Sequence, residues 1–164
     1  MRQLLQLLFC LALMPAARAA MPDSGDIAPN LVGKTLSGER VEMAAYQGKV
    51  VVVSFWATWC PYCLKELPVL ENIQKLAGAD KLQVIAVNTE ERQVFRRAES
   101  MLKMLTLKLA YDPDKTIAAS YGVRGIPHML IIGRDGKIIR VYRGYDESSL
   151  DAIAADLNDA IDAE

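Results

Sequence analysis

Cys60 and Cys63, in the run Trp59-Cys60-Pro61-Tyr62-Cys63, are the residues of this chain whose type and spacing best suit chemistry. On a helix that spacing puts the second sulfur one turn behind the first. If the helix begins at Cys60, its sulfur meets unpaired N–H groups and the positive end of the helix dipole. Both favour the thiolate, which is the nucleophilic form. Cys60 would then attack a disulfide, and Cys63, more shielded, would resolve the mixed disulfide. A purely structural bridge is a poorer reading, because so short a loop removes little entropy from the unfolded chain. A closed zinc site needs about four ligands. The chain has no second Cys-x-x-Cys and a single histidine, His128, so no metal and no other cofactor is expected.

The surrounding sequence supplies a frame for that pair. Val50 to Trp56 is an unbroken β-branched and aromatic run, which suits a central strand covered on both faces. A helix should follow from about Pro61 to Ala77, with proline favoured in its first turn and Pro68 expected to kink it. Leu31 to Tyr46 reads as two short strands around Ser37-Gly38, a front hairpin. Met21 to Pro29 reads as a mobile leader or irregular arm. Leu82 to Val87 is a second buried strand. From Arg92 to Leu105, Val94, Phe95, Ala98, Met101, Leu102 and Leu105 share one helical face. Thr106 to Tyr111 is a short strand, and Asp112-Pro113 should open a short helix, with Asp112 as its cap. Two strands, Met129 to Ile132 and Lys137 to Tyr142, flank Gly133-Arg134-Asp135-Gly136, a hairpin turn. A last helix from about Glu147 to Asp162 carries Leu150, Ile153, Ala154, Leu157 and Ile161 on its buried stripe, with Ser148 and Asp151 as a possible capping pair. Early strands alternating with helices, then a late hairpin, predict an α/β fold with a central mixed sheet and helices on both faces.

Length and charge narrow the partners. The 164 residues suffice for one domain with one sizeable core. The formal charge is −1, with acids and bases interspersed, so neither a nucleic acid nor an anionic membrane surface is an expected partner. Arg2, the apolar stretch from Leu4 to Met14, Pro15 and then Ala17-Arg18-Ala19 have the order of a secretory signal peptide. The apolar run is short for a bilayer span. Residues 1–19 are therefore expected to be a cleaved signal peptide, an uncleaved anchor being the alternative, with one domain over residues 20–164. Cys10 falls in the signal as apolar filler.

Phe55-Trp56-Ala57-Thr58-Trp59-Cys60-Pro61-Tyr62-Cys63, with Glu66, Leu67 and Pro68 after it, closely resembles the active-site segment of the TlpA/ResA/DsbE-like thioredoxins. Gly122-Val123-Arg124-Gly125-Ile126-Pro127, followed by an apolar strand and Asp135-Gly136, resembles their second signature. The resemblance spans nearly all of residues 20–164. It implies a thioredoxin-like fold with an N-terminal β-hairpin, and an exported thiol–disulfide oxidoreductase. It implies protein thiols or disulfides as substrates, a membrane thiol–disulfide electron donor of the DsbD/CcdA kind, and a monomer.

Carried over residue by residue, Pro127 matches the cis-proline beside the cysteines, and Ile126 the residue whose backbone pairs with an extended substrate. Trp59 and Tyr62 would contact substrate. Glu66 matches an acidic residue near the cysteines that can relay protons; as a plain helix residue it would instead be solvated and paired with a lysine. Ser54 departs from the buried aspartate of cytosolic thioredoxins and is expected to be a small packed residue. Trp56 is either substrate rim or core. His128 either stabilises a thiolate or covers the sheet.

Three functions compete on these residues. The first is a periplasmic reductase of protein disulfides, with cytochrome c maturation as one setting. The second is an oxidase or isomerase, which the same dithiol serves at a different reduction potential. The third is a copper-binding assembly module, which the Cys60–Cys63 spacing and the position of His128 fit poorly.

Overall fold

The computed structural model describes residues 21–144 and 149–163. The expected signal segment and the Ser148 cap lie outside them. Seven strands form one sheet in the order β2-β1-β5-β4-β3-β6-β7. They are β1 (Leu31–Lys34), β2 (Arg40–Glu42), β3 (Val50–Trp56), β4 (Leu82–Asn88), β5 (Lys108–Tyr111), β6 (His128–Ile132) and β7 (Ile138–Arg143). The helices are α1 (Pro61–Ala77), α2 (Arg92–Leu102), α3 (Thr116–Ser120) and α4 (Leu150–Asp162). Strands β3, β4 and β5 run parallel, joined through helices, whereas β6 and β7 pair antiparallel. This is the mixed sheet that the element order predicts.

Residue alternation in β3 builds two cores. Val50, Val52 and Trp56 face a layer containing Leu67 and Leu70 of α1 and Ile153 and Leu157 of α4. Val51, Val53 and Phe55 face the other way, onto Ile117, Ala118 and Tyr121 around α3 and onto Val32 and Val41 of the front hairpin. All seven residues of β3 are buried, as a strand covered on both faces requires. Gly33 lets β1 lie close against β5, because a Cβ there would stand only 2.7 Å from the Cβ of Ala110.

Several local expectations change. The segment read as a leader is tied down. Gly25 N–H donates to Ile138 C=O at 2.8 Å, Ile138 N–H to Asp26 C=O at 2.9 Å, and Ala28 N–H to Gly136 C=O at 3.0 Å. The arm thus lies along the start of β7. Helix α2 stops at Leu102, and Met101, expected on its buried face, is exposed. Its inward face is carried by Phe95 and Ala98, with Phe95 stacked on Tyr111. α1 continues through Pro68 from Pro61 to Ala77. α4 is helical from Leu150.

The short third helix begins at Thr116, later than the Asp112-Pro113 pair suggests. Asp112 caps it all the same, from outside. Its buried carboxylate accepts the N–H of Ala118 at 2.8 Å, which is one of the first-turn donors without a helical partner. Asp112→Ala is expected to strand that buried N–H and cost about 1–3 kcal/mol. The urea midpoint of the oxidised protein measures this, and an unchanged midpoint would show that the cap contributes nothing.

Candidate active site

Strand β3 ends at Trp56, and Ala57-Thr58-Trp59 turns the chain into α1. The N–H of Cys60 closes that turn on Ala57 C=O at 3.1 Å. Cys60 keeps extended backbone angles, φ −95° and ψ 99°, so it stands as the N-cap of α1. A serine or aspartate oxygen commonly satisfies a first-turn N–H at that position. Here the Sγ of Cys60 does so, accepting the N–H of Cys63 at 3.2 Å. The two cysteines form a disulfide with a Cα–Cα distance of 5.3 Å, the oxidised state of the pair. Cys63 is covered, as expected, and so is Cys60, at 1% and 3% exposure. Trp59 and Tyr62 stand beside them largely exposed.

Glu66 lies one turn beyond Cys63 on the same buried face of α1. Its carboxylate accepts the hydroxyl of Ser54 at 2.6 Å across the core, so the solvated, lysine-paired alternative is ruled out. Ser54 is accordingly a hydrogen-bond partner, more than the packed filler expected of it. Burial raises the Glu66 carboxyl above its ordinary range, and the Ser54 bond only partly offsets that. Glu71, also buried on α1, shows the opposite outcome. Burial would raise it, but bonds from Lys75 and from the N–H and hydroxyl of Thr106 outweigh burial and hold it low. Of these two acids on α1, burial prevails at Glu66 and favours its protonated form, whereas donors prevail at Glu71 and favour its carboxylate.

The Ile126–Pro127 peptide is cis. Ile126 packs against the same cluster that holds Cys60, Cys63 and Trp56. Among the described residues neither backbone group of Ile126 has a hydrogen-bond partner, which leaves both for an incoming chain. A cavity of about 360 Å³ lies between Trp59 and Ile126, walled also by Ala118, Val123, Lys115 and Arg124. Tyr62 lines none of it; Lys65 lies over its ring, 5.9 Å from the centroid. Trp56 is wholly buried, which settles it as core.

His128 is turned away from the sulfurs. Its ring meets Phe55, which belongs to the α3 side of the sheet, whereas the cysteines belong to the α1 side. Burial, and then the Arg143 charge, lowers its pKa to about 4, so the ring is neutral near pH 7. It covers the sheet and stabilises no thiolate.

Sequence reasoning missed Glu90, just past β4. Its carboxylate takes both the N–H and the hydroxyl of Thr58, at 2.6 and 2.9 Å. No spacing rule links residues 58 and 90; only the parallel register of β3 on β4 brings them together.

Comparison with known proteins agrees with this arrangement. The Redoxin family profile matches residues 23–158. The chain belongs to the Redoxin family. Within it the similarity runs to the TlpA/ResA/DsbE-like thioredoxins. The thiol–disulfide oxidoreductase ResA of Bacillus thuringiensis is 32% identical over 122 residues, covering 73% of this chain and 69% of the relative. The thioredoxin-like protein YneN of Bacillus subtilis is 40% identical over 125 residues, 73% and 71% of the two chains. Among solved structures, a Chlorobium tepidum protein assigned as the thiol:disulfide interchange protein DsbE has a TM-score of 0.75 at 29% identity, covering 85% of this chain and 99% of its own. The exposed lipoprotein thioredoxin Etrx1 of Streptococcus pneumoniae has a TM-score of 0.62 at 31% identity, covering 79% and 96%. This redoxin is a thiol–disulfide oxidoreductase with a thioredoxin-like fold.

The raised carboxyl of Glu66 has a pH signature. A group whose folded pKa exceeds its unfolded value contributes stability that is fully present below the unfolded pKa, about 4.3 for glutamate. That contribution is lost as pH rises through the folded value. Glu66→Gln, which keeps an acceptor for Ser54, is therefore expected to gain on the wild type as pH climbs through and above the ordinary carboxylate range. Urea midpoints of both oxidised proteins across that range test this, and parallel curves would mean that Glu66 titrates normally.

Proposed function

We propose that this redoxin is an exported reductase of protein disulfides, carried across the inner membrane by residues 1–19 as a cleaved signal peptide. In this reading it works in the periplasm as a monomer, and cytochrome c maturation is one process it would serve. The observation that carries the exchange chemistry of this reading is the Sγ of Cys60 in the N-cap position of α1, accepting the Cys63 N–H at 3.2 Å. A sulfur placed there is favoured as a thiolate.

The reduced form acts in two exchanges. The Cys60 thiolate attacks one sulfur of the substrate disulfide; a new S–S bond forms, the old one breaks, and the departing thiolate takes up a proton. Cys63 then gives its proton to the Glu66 carboxylate and attacks the Cys60 sulfur. That step frees the second substrate thiolate, which is also protonated, and leaves the Cys60–Cys63 disulfide seen in the structure. Two electrons have passed from the dithiol to the substrate. A membrane thiol–disulfide donor of the DsbD/CcdA kind restores the dithiol. The substrate chain pairs with the free backbone of Ile126 beside cis-Pro127, with Trp59 and Tyr62 contacting it.

The acid near the sulfurs supports the direction. A strong oxidant of this fold is one whose reduced form is stabilised. A buried carboxylate close behind the pair disfavours the thiolate, which favours a reducing couple. The ResA relatives are named thiol–disulfide oxidoreductases, which supports exchange chemistry at this pair.

Equilibration of the Cys60–Cys63 pair with dithiothreitol or glutathione buffers gives its potential. A value near the thioredoxin end, about −270 mV, is expected, and one near about −120 mV would assign the oxidase role instead. Cys63→Ser should trap mixed disulfides through Cys60 with periplasmic thiol proteins, while the Cys60→Ser variant should trap none. Equal trapping by both variants would overturn the assignment of Cys60 as the attacking sulfur.

A further inference from the structure

Glu90 is not a helix cap, lies in no strand and has no cationic partner in any ion pair among the described residues. Its hydrogen bonds among the described residues nonetheless point at one place. Its carboxylate accepts Thr58 N–H at 2.6 Å, Thr58 hydroxyl at 2.9 Å and the Asn88 side-chain amide at 3.1 Å. Asn88 Oδ1 returns the contact by accepting the Glu90 N–H at 2.9 Å, which fixes the acid from behind. Asn88 itself is fully buried at the end of β4.

Thr58 occupies the middle of the turn from β3 into α1. The turn is also tied by Cys60 N–H on Ala57 C=O at 3.1 Å and by the N–H and hydroxyl of Thr89 on Trp56 C=O at 3.0 and 3.4 Å. These hold its ends. Thr58 is two peptide units from Cys60, at most about 7 Å between Cα atoms. Trp59, the exposed wall of the substrate cavity, lies between them. A turn held at both ends and loose in the middle would let Trp59 and the start of α1 wander. A carboxylate taking two donors from one residue prevents this, and charge-assisted bonds of this kind are about twice as strong as neutral ones.

We propose that Glu90 is a positioning residue of the thiol–disulfide site: by clamping the N–H and hydroxyl of Thr58 it holds Trp59 and the Cys60 sulfur in the geometry that exchange requires. The inference rests on Cys60 being the attacking sulfur. Glu90 touches neither cysteine, so it acts through Thr58.

The test uses the reduced full chain, alkylated with iodoacetamide over a range of pH, with the modified cysteine identified by mass. It is paired with disulfide-reduction kinetics on insulin. Glu90→Ala should lower the plateau alkylation rate of Cys60 and kcat/KM for insulin by about tenfold, the scale of a lost charge-assisted bond. Thr58→Ala should give a smaller loss, about threefold, and Thr58→Ser, which keeps both donors, should match the wild type. The double variant should be no worse than Glu90→Ala alone, because both act through one contact. A folded Glu90→Ala with wild-type plateau and kcat/KM would overturn the proposal, as would losses that simply add. If Glu90→Ala does not fold, Thr58→Ala against Thr58→Ser decides, and equal rates for those two would overturn it. Should the wild type be alkylated at Cys63 rather than Cys60, the assignment of the attacking sulfur fails instead, which is a separate outcome.

Discussion

The first N–H groups of an α-helix have no carbonyl behind them, and in this protein one of them is given to sulfur. The bond from Cys63 N–H to Cys60 Sγ at 3.2 Å does in one contact what two residue types normally share. It terminates α1 as a cap would, and it keeps the reactive atom at the positive end of a seventeen-residue helix. Much of the architecture serves that placement. β3 must be central, so that its end is rigid; it therefore lies between β4 and β6 with every side chain buried. α1 must follow directly, so its inward face carries Cys63, Glu66, Leu67 and Leu70 in succession.

Two buried carboxylates on α1 show how neighbours divide the roles of one residue type. Glu71 is surrounded by donors and kept ionised, and it ties the helix to the chain entering β5. Among the described residues Glu66 has only the Ser54 hydroxyl, and burial dominates. The first is a brace, and the second is pushed by burial toward its protonated form. Ser54 is the reason this works with a glutamate on the helix. A small hydroxyl on β3 leaves room for the longer side chain to reach across from α1.

What was legible beforehand divides along physical lines. The cysteine pair, β3, the bounds of α1 and the front hairpin could be read because each depends on residues adjacent in the chain or on a strong local pattern, whereas the cis-Pro127 position followed from the family resemblance alone. The Asp112 cap was legible as a residue but not as a position, since the chain adds a turn with Lys115 at φ 56° before the helix begins. Met101 misled because it is apolar at helical spacing, and only packing decides which apolar residues go inside. The arm at residues 23–28 has no periodicity, and its pairing with β7 depends on atoms more than a hundred residues away. Ser54–Glu66 and Thr58–Glu90 are pairs of polar residues made neighbours by tertiary structure alone. Composition and spacing carry no signal for such pairs.

The borders of the sheet carry a further consequence. On one side β2 is only three residues long, with Arg40 and Glu42 flanking Val41, and on the other the arm at Gly25–Ala28 overlies the start of β7, whose exposed positions are Arg140 and Arg143. Short and charged rims discourage stray chains from adding themselves as extra strands. A reductase of protein disulfides, the role proposed above, would meet such chains constantly. In that role the main chain of Ile126, packed against the cluster that holds the sulfurs, would be the open docking point, so a client that sticks would be steered toward the one spot where it can be processed and released, and away from margins where it would seed aggregates.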